Sequence, residues 1–272
     1  MQQSKNLSPS PIAFSKNSFL ERITPLILTY NEAPNIERTL QNLTWASRIL
    51  IVDSHSTDET IEIAQRYPQV EICQRKFDTH AAQWNYGIEK VISEWVLSLD
   101  ADYIVTDNLL HEIGKLDFNT PINGYFSSFK YCVFGQPLRG SILPPRQILF
   151  RKQYSEYVDD GHTQLLEVEG SSACLRHAIY HDDRKPISRW LWAQDRYMAL
   201  EAEKLQNTPV IALSKGDRIR KLKVVAPFVI LLYCLVLKGG VFDGWRGWYY
   251  ALQRMFAEIL LSLYLIEKTM RS

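Results

Sequence analysis

An α/β fold, with a mostly parallel sheet flanked by helices, is what this sequence predicts, and three observations predict it. Short apolar runs alternate with stretches of helical periodicity from residue 23 onward. The clearest run, Arg48-Ile49-Leu50-Ile51-Val52-Asp53, is apolar at consecutive positions, which means burial on both faces. The spacing between runs leaves room for a helix in each connection, as parallel strands require. A chain of 272 residues accommodates one such domain with appendages and buries a proper core.

The elements follow in order. Leu26-Ile27-Leu28-Thr29 is the first strand, bounded in front by Pro25; Ile36, Leu40 and Leu43 then fall at helical spacing behind Asn35, a capping residue type. Residues 48–53 are the second strand. Thr57 to Tyr67 reads as a helix stopped by Pro68, Val70 to Cys73 as a short third strand, and His80 to Ile92 as another helix. Trp95 to Asp100 is the fourth strand, followed by a helix around Asn108 to Leu116. Beyond residue 120 the runs are more polar, and Gly124 to Phe134 and Gln147 to Arg151 are expected as antiparallel additions. Ile187 to Leu205 is a helix with Leu191, Met198 and Leu205 repeating at seven.

Composition excludes several classes. A net charge of +1 with 22% charged and 46% hydrophobic residues is not that of a disordered chain and gives no footing for a nucleic-acid partner. Cys73, Cys132, Cys174 and Cys234 form no Cys-x-x-Cys pair and read as idle thiols of a reducing compartment. Residues 1–22, without an apolar stretch of signal-peptide length, read as a flexible leader. The charge is unevenly spread. Residues 215–272 hold ten Lys and Arg against four acids, a net of +6, which leaves −5 for the rest.

Ligands of an open parallel sheet bind outside the carboxyl ends of its strands. Here the first strand ends in Thr29-Tyr30-Asn31-Glu32, the second in Asp53-Ser54-His55-Ser56-Thr57-Asp58, and the fourth in Asp100-Ala101-Asp102. Taken alone, Asp58 is as well explained as a helix cap. Asp100 and Asp102, one residue apart after an apolar strand, repel each other unless a cation lies between them, and hard oxygen ligands suit Mg²⁺ or Mn²⁺, above all beside a diphosphate. No Gly-x-Gly-x-x-Gly follows the first strand, and no Gly-x-x-x-x-Gly-Lys-Ser/Thr occurs anywhere. A dinucleotide dehydrogenase and a P-loop nucleotidase are therefore disfavoured.

Four stretches, Leu28-Thr29-Tyr30-Asn31-Glu32, Val52 to Asp58, Gln83-Trp84-Asn85-Tyr86-Gly87 and Leu99-Asp100-Ala101-Asp102, together resemble the family 2 glycosyltransferases of the GT-A fold. Tyr157 to Gln164 and Tyr180 to Lys185 are similar to bacterial members near the lipopolysaccharide-core glucosyltransferases. The resemblance spans residues 23–205. It implies an inverting, metal-dependent transferase in which Thr29, Tyr30 and Glu32 line the nucleotide pocket and Asp53 bonds the base, uracil. It further implies that Gln83 and Asn85 flank the nucleotide, that Asp100 lies near the ribose and donor sugar, and that Asp102, with Asp100 beside it, holds Mg²⁺ or Mn²⁺ against the diphosphate.

Inversion at the anomeric carbon needs a base for the acceptor hydroxyl's proton. Asp159-Asp160-Gly161-His162 is the candidate cluster, with Asp160 preferred; an ordinary turn is the plainer reading. Related sequences often carry a Glu directly after the histidine, whereas Thr163 stands here. His181 is open to three roles: completing the metal shell, touching the diphosphate, or capping.

Val224 to Leu237 is a fourteen-residue apolar run preceded by Arg218, Arg220, Lys221 and Lys223, short of the ~20 residues that span a bilayer. Trp248, Leu252, Phe256, Ile259, Leu263 and Ile266 then form one stripe of a second helix. Residues 206–272 are thus expected as a helical pair lying in the interface of an anionic membrane, the alternative being a hairpin packed on the domain or on a second subunit in a homo-oligomer. The expectation as a whole is an enzyme at the cytoplasmic face of the cell membrane. It moves a sugar from a UDP-sugar donor to a lipid-linked or envelope glycan acceptor. A polyprenyl phosphate acceptor, or from another class a sugar-nucleotide nucleotidyltransferase, are the alternatives.

Overall fold

The computed structural model describes residues 19–117, 119–160 and 163–271. Its first half runs β1 (Ile23–Thr29), α1 (Ile36–Gln41), β2 (Ile49–Asp53), α2 (Thr60–Ala64), β3 (Val70–Gln74), α3 (His80–Lys90), β4 (Trp95–Asp100), β5 (Tyr103–Ile104) and α4 (Asp107–Ile113). There follow β6 (Ile122–Ser127), β7 (Phe129–Val133), β8 (Gln136–Pro137), β9 (Arg146–Arg151), β10 (Ser155–Asp160), β11 (Thr163–Val168), β12 (Ser171–Cys174) and β13 (Ile179–His181). The helices α5 (Ile187–Asn207), α6 (Lys215–Arg220), α7 (Ala226–Leu232) and α8 (Trp245–Arg271) complete the chain.

The main sheet has the order β12-β6-β9-β4-β1-β2-β3. β3, β2, β1 and β4 are parallel, and β9 inserts antiparallel between β4 and β6, as the polar runs beyond residue 120 foretold. Both faces of the parallel strands are covered. Ile27, Ile49, Ile51 and Leu97 pack with α1 and α4 on one side, and Leu26, Leu50, Val52 and Val96 with Trp84 and Ile88 of α3 on the other. The chain turns back between β1 and β4, so the crevice at this switch point lies between Thr29–Glu32 and Asp100–Asp102.

Several boundaries differ for physical reasons. β1 starts at Ile23 and includes Pro25; pairing with β2 begins only at Leu26, so the missing N–H forfeits no bond on that side. The expected leader is not wholly loose, because Phe19 and Leu20 are buried and Phe19 packs on Trp95 at 5.0 Å between ring centres. α2 is shorter than the expected Thr57–Tyr67 helix. Asp58 accepts bonds from Thr60 and from the Ala33 N–H (3.1 Å), which holds residues 54–59 as a loop against the one after β1. Asn35 precedes α1 without capping it. Its amide donates to Glu32 and Asp183 (both 3.0 Å), and its carbonyl accepts from the Arg184 N–H (2.8 Å). Gly124 to Phe134 is two strands, β6 in the main sheet and β7 in a second sheet of order β5-β13-β7-β8.

α5 belongs with the C-terminal helices and not with the sheet. Met198, Ala202 and Leu205 form a separate core with Leu213, Ala257, Leu261 and Leu265. A second junction packs Cys234, Leu235 and Tyr250 on Val133 and Leu138, with the Tyr250 hydroxyl accepting from the Ile142 N–H (3.2 Å). Close approach here depends on glycine. A Cβ on Gly247 would lie 1.8 Å from the Gly240 carbonyl oxygen, which is rigid backbone. Gly247→Ala is therefore expected to cost about 3 kcal/mol and to detach the turn before α8, read as a lowered Tm and faster proteolysis near residue 240; an unchanged Tm would contradict this packing.

Candidate active site

The crevice is built from the ends of β1, β2 and β4 and from the segment after β13. Asp53, fully buried at the end of β2, accepts from the Thr29 hydroxyl (2.8 Å), the Ser56 N–H (2.9 Å), the Ser56 hydroxyl (2.5 Å) and the Gln74 amide (3.4 Å). These bonds shape the loop in which His55 takes a positive φ of 58°. Asn31, at φ 56°, ties the β1 loop to it through the Ser56 hydroxyl (2.9 Å) and the Thr57 N–H (2.8 Å). Gln83 is buried and donates to the Ser54 hydroxyl (2.8 Å) and the Arg75 carbonyl (3.1 Å), while its own carbonyl accepts from the Arg75 guanidinium (2.5 Å). Thr29, Asp53 and Gln83 therefore stand together behind the crevice as its rigid wall, and Tyr30 projects outward, 45% exposed.

Asn85 has a different place. Both ends of its amide bond the Tyr157 backbone (2.8 and 2.9 Å), so it anchors the β10–β11 hairpin on α3. Trp84 stacks on Tyr157 at 5.3 Å, and the Tyr157 hydroxyl donates to Ser98 (3.0 Å) beneath the sheet. The hairpin's far end carries the candidate bases. Asp159 is exposed and faces Gln164 across the ladder. His162 and the side chain of Asp160 lie outside the described residues.

The carboxylates at the β4 end divide. Asp102 is buried, and its Oδ2 meets His181 Nε2 at 3.1 Å, while its Oδ1 has no hydrogen-bond partner. Burial opposes its charge, but the facing His181 outweighs that and holds the carboxyl below its ordinary range. The same pair raises His181 despite its own burial. Their contact comes from the pairing of β13 with β5, which sets His181 opposite Tyr103. Asp100 lies within electrostatic reach of Tyr103, Arg146 and His181. Asp102 and His181 are thus brought together, and among the described residues no three His, Cys, Asp or Glu side chains group around one metal position.

A buried ion pair bridges the crevice. Lys185 Nζ lies 2.7 Å from Glu32 Oε1 and 3.9 Å from Asp183 Oδ1. Burial, reinforced by nearby Asp102, pushes the Glu32 carboxyl up to about 7 against the pull of Lys185. Asp182 fixes this segment from behind. Its N–H donates to the Asp102 carbonyl (2.9 Å), and its carboxylate accepts from Arg184 (2.8 Å) and the Gly135 N–H (3.0 Å). Sequence reasoning overlooked Arg146 and Arg75; nothing in their neighbours marks them, since each reaches the crevice through tertiary contacts.

Strand ends carrying carboxylates and amides thus flank the crevice, with Asp102 buried and satisfied at one oxygen alone. The profile of Glycosyl transferase family 2 matches residues 26–167, and the chain belongs to that family. Its α/β sheet is accordingly of the GT-A type. An uncharacterized glycosyltransferase of Rickettsia felis is 28% identical over 95 residues, covering 35% of this chain and 33% of that protein. One of Rickettsia bellii is 30% identical over 94 residues, covering 34% and 32%. The match thus spans about a third of the length of these curated relatives. The fold is also similar to Staphylococcus aureus TarS 1-349 in complex with UDP-GlcNAc, at TM-score 0.49 and 14% identity over 92% of this chain and 91% of that one. Glucosyl-3-phosphoglycerate synthase from Mycobacterium tuberculosis, in complex with Mn²⁺, UDP and glucosyl-3-phosphoglycerate, is similar at TM-score 0.45 and 15% identity, covering 69% and 82%.

Proposed function

We propose that the protein transfers a sugar, with inversion, from a UDP-sugar to a hydroxyl of an envelope glycan of the lipopolysaccharide-core kind or another lipid-linked acceptor. The observation that carries this is the switch-point crevice, where Glu32, Asp53 and Asp100 end or follow β1, β2 and β4, Gln83 backs them from α3, and a buried oxygen of Asp102 has no partner. Family membership sets aside the nucleotidyltransferase alternative.

The donor atoms fit one divalent cation. Asp102 Oδ1 is free for it, His181 fixes the other oxygen, and diphosphate and water are the remaining ligands such an ion takes. When bound, Mg²⁺ or Mn²⁺ supplies Lewis-acid stabilisation of the leaving diphosphate. The chain's own residues do the rest. Asp53 and Gln83 hold the loop walls that receive the base, Tyr30 offers a ring to it, and Asp100 faces the ribose and sugar. The Glu32–Lys185 pair fixes the crevice floor, and the carboxylate of Asp159 or Asp160 takes the acceptor proton. Incubating the protein with a panel of UDP-sugars, Mn²⁺ and envelope glycolipid should release UDP with one donor; release with none would sink this reading.

The acceptor side is read from α8. Its inward face mixes the apolar Tyr250, Leu261 and Leu265 with small and polar residues, Gly247, Ala251, Gln253, Ala257 and Ser262, while Leu252, Phe256 and Leu263 face out. Leu237, Phe242 and Trp245 beside it are 76%, 73% and 87% exposed. Such outward apolar exposure, flanked by the basic residues of 215–223, suits an anionic lipid surface. No helix among the described residues is long and apolar enough to cross a membrane. Flotation with phosphatidylglycerol vesicles, lost on Phe242→Asp with Trp245→Asp, checks this; equal flotation of the variant would contradict it.

A further inference from the structure

The helix α5 passes over the crevice mouth and carries a ladder of alternating cations and rings. The Arg189 guanidinium carbon lies 5.3 Å from the Tyr30 ring centre and 4.3 Å from that of Trp192, and the Arg196 carbon lies 4.9 Å from Trp192. Tyr30 leaves the end of β1, where the base wall stands, so the ladder joins α5 to the nucleotide side of the crevice. Tyr197, next along the helix, is within electrostatic reach of Lys185, Asp100 and Asp102, so α5 also comes close to the β4 end.

Charge makes the ladder informative. Its neighbours Arg184 and Lys185 are each neutralised, by Asp182 at 2.8 Å and Glu32 at 2.7 Å. Among the described residues Arg189 and Arg196 have only ring partners, with no carboxylate in ion-pair distance. An aromatic face holds a guanidinium at little desolvation cost and leaves its N–H groups available, which is the arrangement that recognises phosphate. Two cations without a carboxylate partner thus stand beside the end of β1, where the crevice's other cations, such as Lys185, are paired with acids.

We propose that Arg189 and Arg196, held between Tyr30 and Trp192 on α5, contact the diphosphate of the donor and stabilise the departing nucleoside diphosphate. This rests on the donor reading above. In the transfer the bond from the anomeric carbon to the β-phosphoryl oxygen breaks, and its electron pair stays on that oxygen. The acceptor oxygen bonds the anomeric carbon and gives its proton to the enzyme's base. The two guanidinium groups offset the charge that grows on the departing oxygens.

Titration of UDP and of UMP, each with Mn²⁺, into the full chain tests this. Replacing both residues by glutamine (Arg189→Gln, Arg196→Gln) should weaken UDP about tenfold or more and UMP about threefold or less, because only UDP carries the β-phosphate. The double lysine variant should recover most of the UDP affinity. Equal losses for UDP and UMP, or none, would overturn the proposal. Should the double variant lose its folding transition, Arg196→Gln alone, at an exposed position, carries the same comparison. No UDP binding by the unaltered protein would instead remove the donor reading itself.

Discussion

Asp102→Asn is expected to lower the rate of sugar transfer by about 10³-fold or more with the fold intact. The substitution keeps the shape and one hydrogen bond toward His181 but removes the anionic oxygen at Oδ1, which has no protein partner. Loss of a group that fixes the counterion of a developing charge typically costs about 10²–10³ in kcat, and loss of the ion itself costs more. Initial rates with the active UDP-sugar, beside an unchanged Tm, give the measurement. A variant within tenfold of the parent would show that Asp102 does not serve the diphosphate.

Asp53→Ala is expected to cost about 2–4 kcal/mol of stability and to weaken UDP binding in parallel. The carboxylate is fully buried and accepts from Thr29, Ser56 and Gln74, so its removal strands those donors in the interior. The loop carrying His55 at positive φ is held by these bonds and should loosen. Urea denaturation and UDP titration of one preparation check both effects. An unchanged denaturation midpoint with weakened UDP would assign Asp53 to direct contact with the base alone.

The parallel sheet was legible because both of its faces are buried. Ile49 to Val52 are four consecutive apolar residues between Arg48 and Asp53, too short a run for a helix and suited to a strand buried on both faces. The strand-end carboxylates were legible for the same reason, since the run of apolar residues stops where the crevice begins. What escaped depends on pairing across long separations. The contact of Lys185 with Glu32 needs the segment after β13 to cross β1, and that of His181 with Asp102, open among three roles in the sequence, needs β13 beside β5. Asn85 belongs to a motif that resembles a nucleotide contact, yet it bonds the Tyr157 backbone, because α3 faces the hairpin there. The stripe on α8 has the expected period and stands outward, with Trp248, Leu252, Phe256, Ile259 and Leu263 exposed. Periodicity reveals an apolar face, not which neighbour meets it.

The central claim is that the crevice between β1 and β4 binds a nucleoside diphosphate together with a divalent cation held by Asp102. Calorimetric titration of UDP into the protein, with Mn²⁺ and again with EDTA, tests it most directly. Binding should be saturable with Mn²⁺, at least tenfold weaker in EDTA, and insensitive to the metal in Asp102→Asn. UDP binding of equal strength with and without the metal, or none at all, would contradict it.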